Sequence, residues 1–284
     1  MSSIKTKFFH LSEMVMMQHS IFSLPFIFIS MLVASNGWFG WKLFILGVLA
    51  AVSARNFAMG INRYFDRDID ALNPRTQNRP SVDGRVSQGL MIGFIVGNAF
   101  AFIVVAFFIN ALALKLSLPI LLILGGYTFF KRFSSMAHII LGVSLGLAPI
   151  AGEIAVSETI SIWTLYLSGG VIFWVAGFDL LYSLQDIDFD KEHNLHSIPS
   201  QFGAKKTMLI SKLFHLMTIV LWGLFIYYAG LGLYAKLAVV LSAIMLTYEH
   251  YLVSKDFTKI DRAFFTVNGY LGILFLFLII LEVM

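Results

Sequence analysis

The chain has no cysteine among its 284 residues. Disulfides, thiolate nucleophiles and Cys-ligated metal centres are therefore excluded. Charge is scarce as well. Asp, Glu, Lys and Arg make up 13% of the residues, about half the roughly 25% of a soluble domain. Apolar residues take the place of that charge, at 58% of the chain with a mean hydropathy of +0.83. This balance, with long uncharged runs, places the chain in a lipid bilayer. The runs are continuous and do not alternate, which excludes a transmembrane β-barrel. The net charge of +4 then reflects basic cytosolic loops and not a nucleic-acid partner. Lys5 and Lys7 precede the first apolar run, but no small-residue cleavage site follows it. It reads as a retained helix and not as a removed signal peptide.

A hydrocarbon core about 30 Å thick takes roughly 20 apolar residues per helix. Nine stretches qualify as an all-α transmembrane bundle: residues 17–35, 43–61, 90–109, 116–130, 137–152, 160–178, 213–230, 233–253 and 263–281. With the N-terminus inside, the inner segments hold every Lys and Arg except Lys42, Lys115 and Lys236 outside and Arg55 within a span. That bias predicts a cytosolic N-terminus and a working face turned to the cytosol, where the loops are also longest; the expected setting is a bacterial cytoplasmic membrane. Residues 1–284 read as a single domain. Asp66, Asp70, Pro80 and Gly84 recur at a nearly constant offset as Asp186, Asp190, Pro199 and Gly203. This suggests two related halves, helices two to five and six to nine, and repeats of this kind place a membrane site at their interface.

The chemistry gathers in two acidic strings. Asn62, Asp66 and Asp70 are four residues apart, and Asp179, Tyr182, Asp186 and Asp190 follow at offsets of three and four. On helices each set lies near one face. Carboxylates crowded at helix ends call for a cation, and a hard divalent ion with oxygen ligands fits best. Mg²⁺ in particular combines a few carboxylates with substrate phosphate oxygens. Arg75 and Arg79 follow the first set and offer bidentate contacts to the same phosphates. A diphosphate with a reason to lie in a membrane is a polyprenyl diphosphate. A cation-coupled transporter is the rival class, since repeats and intramembrane acids mark transporters too. Those acids lie deep in a span, whereas these lie at its inner end.

These strings resemble the UbiA superfamily of intramembrane aromatic prenyltransferases. The family's N-x-x-x-D-x-x-x-D motif stands as Asn62, Asp66 and Asp70, and its R-T-x-x-R-P element as Arg75, Thr76, Arg79 and Pro80. Asp179, Tyr182, Asp186, Asp190 and Lys191 match the second motif, Lys131-Arg132 a basic pair, and residues 264–269 a late F-F-T-V-N-G element. The resemblance implies Mg²⁺ held by Asn62, Asp66, Asp70, Asp179, Asp186 and Asp190, with Asp66, Asp70, Asp186 and Asp190 catalytic. It implies a diphosphate met by Arg75, Arg79, Lys191 and Tyr182. An allylic cation would then be captured by an aromatic ring whose carboxylate is held by Arg132. The expected reaction is prenylation of 4-hydroxybenzoate in quinone biosynthesis. The string H-S-I-F-S-L-P-F at residues 19–26 departs from the ubiquinone-type pattern and resembles a subgroup that includes enzymes of menaquinone synthesis by the futalosine route. A dihydroxynaphthoate is therefore the alternative acceptor.

The other polar residues read more plainly. His193 and His196 could ligate a transition metal, but dense carboxylates without cysteine favour an oxygen site. Arg55, on the face of Asn62, is expected to pair with the acidic cluster. Glu249 and His250 are expected at the interface, and Glu153 and Glu158 in solvent.

Overall fold

The computed structural model describes residues 4–16 and 24–284, and among them all regular structure is helical. In chain order the helices are α1 (Ile4–Met14), α2 (Leu24–Ser35), α3 (Trp41–Phe65), α4 (Arg67–Leu72), α5 (Gln88–Ile109), α6 (Ala111–Gly126), α7 (Ala137–Ser157), α8 (Ile162–Tyr182), α9 (Ile187–Glu192), α10 (Ile198–Tyr228), α11 (Leu233–Lys255), α12 (Ile260–Arg262) and α13 (Asn268–Val283). A 3₁₀ turn, Tyr127–Arg132, extends α6, and a π turn, Ala263–Val267, opens α13. Among the described residues, eight helical stretches are long and apolar enough to cross a membrane. The described part of the expected first span is α2, only 12 residues long, and residues 17–23 of that span lie outside the described residues.

Local chemistry sets the boundaries. Asn110 alone separates α5 from α6, and its Oδ1 accepts from the Ala113 backbone N–H at 2.8 Å. The expected span 213–230 begins much earlier, at Ile198, because Ser197 and Ser200 form a reciprocal capping box there. Lys205, Lys206 and Lys212, which argued against a helix, lie on its exposed side. Gly203, at φ 76°, absorbs the kink that joins the short entry segment to the long one. Glu153 is not solvated: it is buried, and its carboxylate accepts from the Ser161 N–H at 2.9 Å, capping the entry to α8.

The chain divides into two compact units, Val48–Thr128 with the N-terminal segment, and Ile21–Gly47 with Phe129–Met284. In the first, Met14 and Val15 at the end of α1 pack on Val86, Met91 and Met59. In the second, Phe26, Trp174, Trp222 and Phe275 form one aromatic cluster, with Phe26 and Trp222 stacked at 5.4 Å. Lipid supplies no hydrophobic drive between helices, so association rests on close packing and on small residues that admit it. Gly142 on α7 is such a residue, since a Cβ there would collide with the Ile172 carbonyl of α8.

Candidate active site

The first acidic set lies where α3 gives way to α4. The helical ladder carries through the junction, with Asp66 N–H bonded to the Asn62 carbonyl at 2.9 Å and Asp70 N–H to that of Asp66 at 2.7 Å. The i, i+4 spacing therefore keeps its meaning although the helix axis breaks at Asp66. Both carboxylates are buried, at 2% and 5% exposure. Asn62 Nδ2 donates to Asp66 Oδ2 at 2.6 Å and to Thr128 Oγ1 at 3.2 Å. Its Oδ1 accepts from Arg63 at 3.0 Å. An arginine can only donate, so this contact fixes the amide's orientation.

Arg79 donates to Asp70 Oδ1 at 2.7 Å, and Thr76 Oγ to the Asp70 backbone carbonyl at 2.9 Å. The other Asp70 oxygen, Oδ2, is buried without a hydrogen-bond donor, and Arg63 Nη1 stands 4.0 Å away. A buried carboxylate oxygen left open in this way suits a cation. Arg75 is exposed on the same loop. Asp68 is exposed too.

Arg63 is the residue the motif spacing did not single out. It sits one position off the ladder, fully enclosed, and its Nε also donates to the Met14 carbonyl at 3.2 Å. Arg55 does not pair with the acids. It donates to the carbonyls of Val15 and Met16 at 2.8 and 2.7 Å, closing the C-terminal end of α1. Arg85 bonds both oxygens of Glu13 and thereby ties the loop after Pro80 to the same helix.

The second set spans the end of α8 and α9. Asp179 Oδ2 meets His138 Nδ1 of α7 at 2.7 Å. Asp190 Oδ2 accepts from Ser197 Oγ at 2.7 Å, so the residue that caps α10 also orients this carboxylate. Asp186, Lys131 and His138 are within electrostatic reach of Asp190. The ring of Tyr182 lies 4.3 Å from that of Phe264 in the π turn. Lys191 and Arg132 are exposed, and Lys131 is half-buried with its carbonyl bonded to the His196 N–H. His193 stacks on Phe189, and His196 meets Gln201 at 3.3 Å, so neither helps to form a histidine metal site.

Among the described residues no three His, Asp or Glu side chains converge on one point as a metal cage. Carboxylates that come in twos, all with oxygen donors, match an ion that completes its shell with substrate phosphate and water, as Mg²⁺ does. The pairs and the open Asp70 oxygen therefore fit that ion, and a closed zinc-type centre does not.

A further polar network lies in the core of the second unit. Glu249 and His250, expected at the interface, are buried within the protein. Trp174 Nε1 donates to Asn268 Oδ1 at 2.7 Å, Asn268 Nδ2 to Glu249 Oε1 at 2.8 Å, and His215 Nδ1 meets His250 Nε2 at 3.0 Å. Asn268 belongs to the late F-F-T-V-N-G string, which is thus a helix-joining element.

Comparison with known proteins agrees with this geometry. Residues 23–279 match the UbiA prenyltransferase family. The chain is 28% identical over 247 residues to a 4-hydroxybenzoate octaprenyltransferase of Saccharophagus degradans, covering 86% of this chain and 81% of that one. It is 29% identical to the enzyme of that name from Alkalilimnicola ehrlichii, covering 87% and 85%. The apo structure of a UbiA homologue from Aeropyrum pernix superposes with a TM-score of 0.85 at 32% identity, over 93% of this chain and 97% of that one. A UbiA homologue from Archaeoglobus fulgidus bound to DMAPP and Mg²⁺ shares the fold at 18% identity, with a TM-score of 0.75 over 95% and 98% of the two chains. An integral-membrane helical fold, paired oxygen-donor motifs and a family match over most of the chain lead to one conclusion: this protein belongs to the UbiA prenyltransferase family.

Proposed function

We propose that the protein transfers a polyprenyl group from a polyprenyl diphosphate to a hydroxylated aromatic carboxylate, with 4-hydroxybenzoate as acceptor, in quinone biosynthesis. The observation that carries this reading is the buried Asp66–Asp70 pair, bordered by Arg63 and Arg79, with one carboxylate oxygen left open. The relatives named 4-hydroxybenzoate octaprenyltransferase support the acceptor. The homologue bound to DMAPP and Mg²⁺ supports the donor and the ion. Residues 1–284 are read as one prenyltransferase domain of two related halves. Nine spans are proposed, the eight long apolar helices and α2, with the N-terminus in the cytosol on the strength of the basic bias of the longer connections; the bacterial relatives support a bacterial membrane.

Mg²⁺ would be held by Asp66 and Asp70 of the first motif and by Asp186 and Asp190 of the second. When bound it stabilises charge on the leaving diphosphate. Asn62 and Arg63 orient the first pair, and Ser197 orients Asp190. Arg79, Arg75, Lys191 and Tyr182 serve the diphosphate. Asp179 is read as the partner of His138, whose Nδ1 it meets at 2.7 Å. In the reaction the allylic C–O bond breaks, pyrophosphate leaves with the electron pair, a ring carbon bonds to the prenyl carbon and a ring proton is lost. Water must be kept from the cation, which would otherwise yield the alcohol. Arg132, at the basic end of the 3₁₀ turn, is assigned the acceptor carboxylate.

The test is a product assay. Purified protein in detergent receives geranyl diphosphate, Mg²⁺ and equal concentrations of 4-hydroxybenzoate and a dihydroxynaphthoate. Prenylated 4-hydroxybenzoate and pyrophosphate are expected, with turnover abolished by EDTA and restored by Mg²⁺. Prenylation of the naphthoate alone would move the acceptor to the menaquinone-type ring, as the string at residues 19–26 suggests. No product from either ring would refute the proposal.

A further inference from the structure

His138 carries no part of either family motif, yet it is bonded to the second one. It lies in the first turn of α7, six positions after Arg132 in the chain, and is 5% exposed. One ring nitrogen, Nδ1, is bonded to Asp179 Oδ2 at 2.7 Å. The other, Nε2, is buried and has no hydrogen-bond partner. Asp190 and Lys131 share its surroundings. A buried ring nitrogen without a partner costs about 1–3 kcal/mol when nothing meets it. Such an atom beside a substrate-handling motif marks a position for a ligand group.

The chemistry of that group follows from the other end of the ring. A carboxylate can only accept, so the proton in the 2.7 Å contact belongs to His138 Nδ1. When the ring that makes this bond is neutral, Nε2 presents a lone pair. It therefore calls for a donor, which water or a substrate can bring. A prenyl chain has none, and a diphosphate or carboxylate offers only oxygen lone pairs. A ring hydroxyl is the donor in the proposed substrate set.

We propose that His138 Nε2 accepts a hydrogen bond from the hydroxyl of the aromatic acceptor and so makes His138 a specificity-determining residue. This rests on the acceptor class given under the proposed function. The acceptor would then be held at two unlike points, its carboxylate by the basic pair Lys131-Arg132 and its hydroxyl by His138. Asp179 is a positioning residue in this arrangement, since it sets which nitrogen keeps the proton.

The experiment pairs acceptors with and without the O–H. Competition binding and steady-state KM are measured for 4-hydroxybenzoate against 4-methoxybenzoate, and for a dihydroxynaphthoate against its dimethyl ether. Wild type should prefer the hydroxyl form of its acceptor by about tenfold or more. His138→Asn retains an N–H close to the Nδ1 position, for Asp179, and removes Nε2. It should bring the two forms within about twofold, with the KM for prenyl diphosphate changed by less than about threefold. A purely structural His138 would leave the preference intact in His138→Asn, and that result overturns the proposal. So does a wild type without preference. If neither hydroxylated acceptor binds or reacts with wild type, the proposed function falls, and this inference with it. Should His138→Asn not fold, ¹⁵N-histidine NMR of the wild type decides. The His138 Nε2 resonance should move with the hydroxylated acceptor and not with its ether, and equal responses to both would overturn the assignment.

Discussion

Asn268 is the clearest point at which the second unit can be probed without touching either acidic motif. Its side chain is fully buried and holds two partners on two other helices, Trp174 on α8 and Glu249 on α11. Asn268→Ala removes both bonds at once. Each partner is itself buried, so each loses its bond without gaining water. From soluble proteins the cost is about 1–3 kcal/mol per orphaned group, or roughly 2–6 kcal/mol together. Interhelical hydrogen bonds within membranes average nearer 0.6 kcal/mol, which sets a floor of about 1 kcal/mol for two. At about 2–4 °C per kcal/mol for a chain of this order of size, the midpoint in detergent should fall by roughly 2–4 °C at that floor and by roughly 4–24 °C on the soluble-protein figures. Asn268→Asp is isosteric but replaces the donor facing Glu249 with an acceptor, and should destabilise at least as much. Glu249→Gln keeps a carbonyl oxygen for Asn268 and should be milder than either. Thermal unfolding followed by size-exclusion fluorescence reads all three. A midpoint within about 1 °C of wild type for both Asn268 variants would refute the view that this network joins α8, α11 and α13.

The remaining expectations concern packing and chemistry. Gly142→Val should lower the midpoint by several degrees, because its side chain meets the Ile172 backbone, whereas Gly93→Ala on α5, where a Cβ meets nothing within 4 Å, should be neutral or stabilising. Equal effects from the two would sink the packing account. Asp66→Ala and Asp186→Ala should each nearly abolish turnover while the protein still inserts. Full activity in either would remove that residue from the metal-holding set. Arg132→Ala should raise the KM for a carboxylated acceptor more than that for the prenyl donor. An equal rise in both would move Arg132 to the diphosphate, and a larger acceptor effect from Lys131→Ala would transfer its role to the half-buried neighbour.

Much of this molecule is visible in one dimension because its parts are periodic. A span announces itself as an uncharged run, and Asn62, Asp66 and Asp70 announce a shared face through a spacing of four, which the continuous backbone ladder preserves. Span limits were less visible. The lysines at 205, 206 and 212 looked like a loop because hydropathy averages over all faces of a helix, while the capping box at Ser197 is a matter of two side chains. Arg63 escaped notice because its neighbours in space, Met14 and Asp70, lie far apart in sequence from each other.

What the amino-acid order determines by itself is therefore the membrane setting, the all-helical class and the two acidic strings, each a local property of composition or spacing. What only the tertiary structure decides is the company each polar group keeps. Glu153, Glu249 and His250 read as surface residues from their positions near helix ends, yet the fold buries all three. Arg55 closes a helix terminus instead of joining the acids. His138 meets Asp179 across 41 residues of chain, leaving one nitrogen open. In a low-dielectric interior every buried donor and acceptor must find a partner, and helix packing, not sequence spacing, determines which partners are within reach.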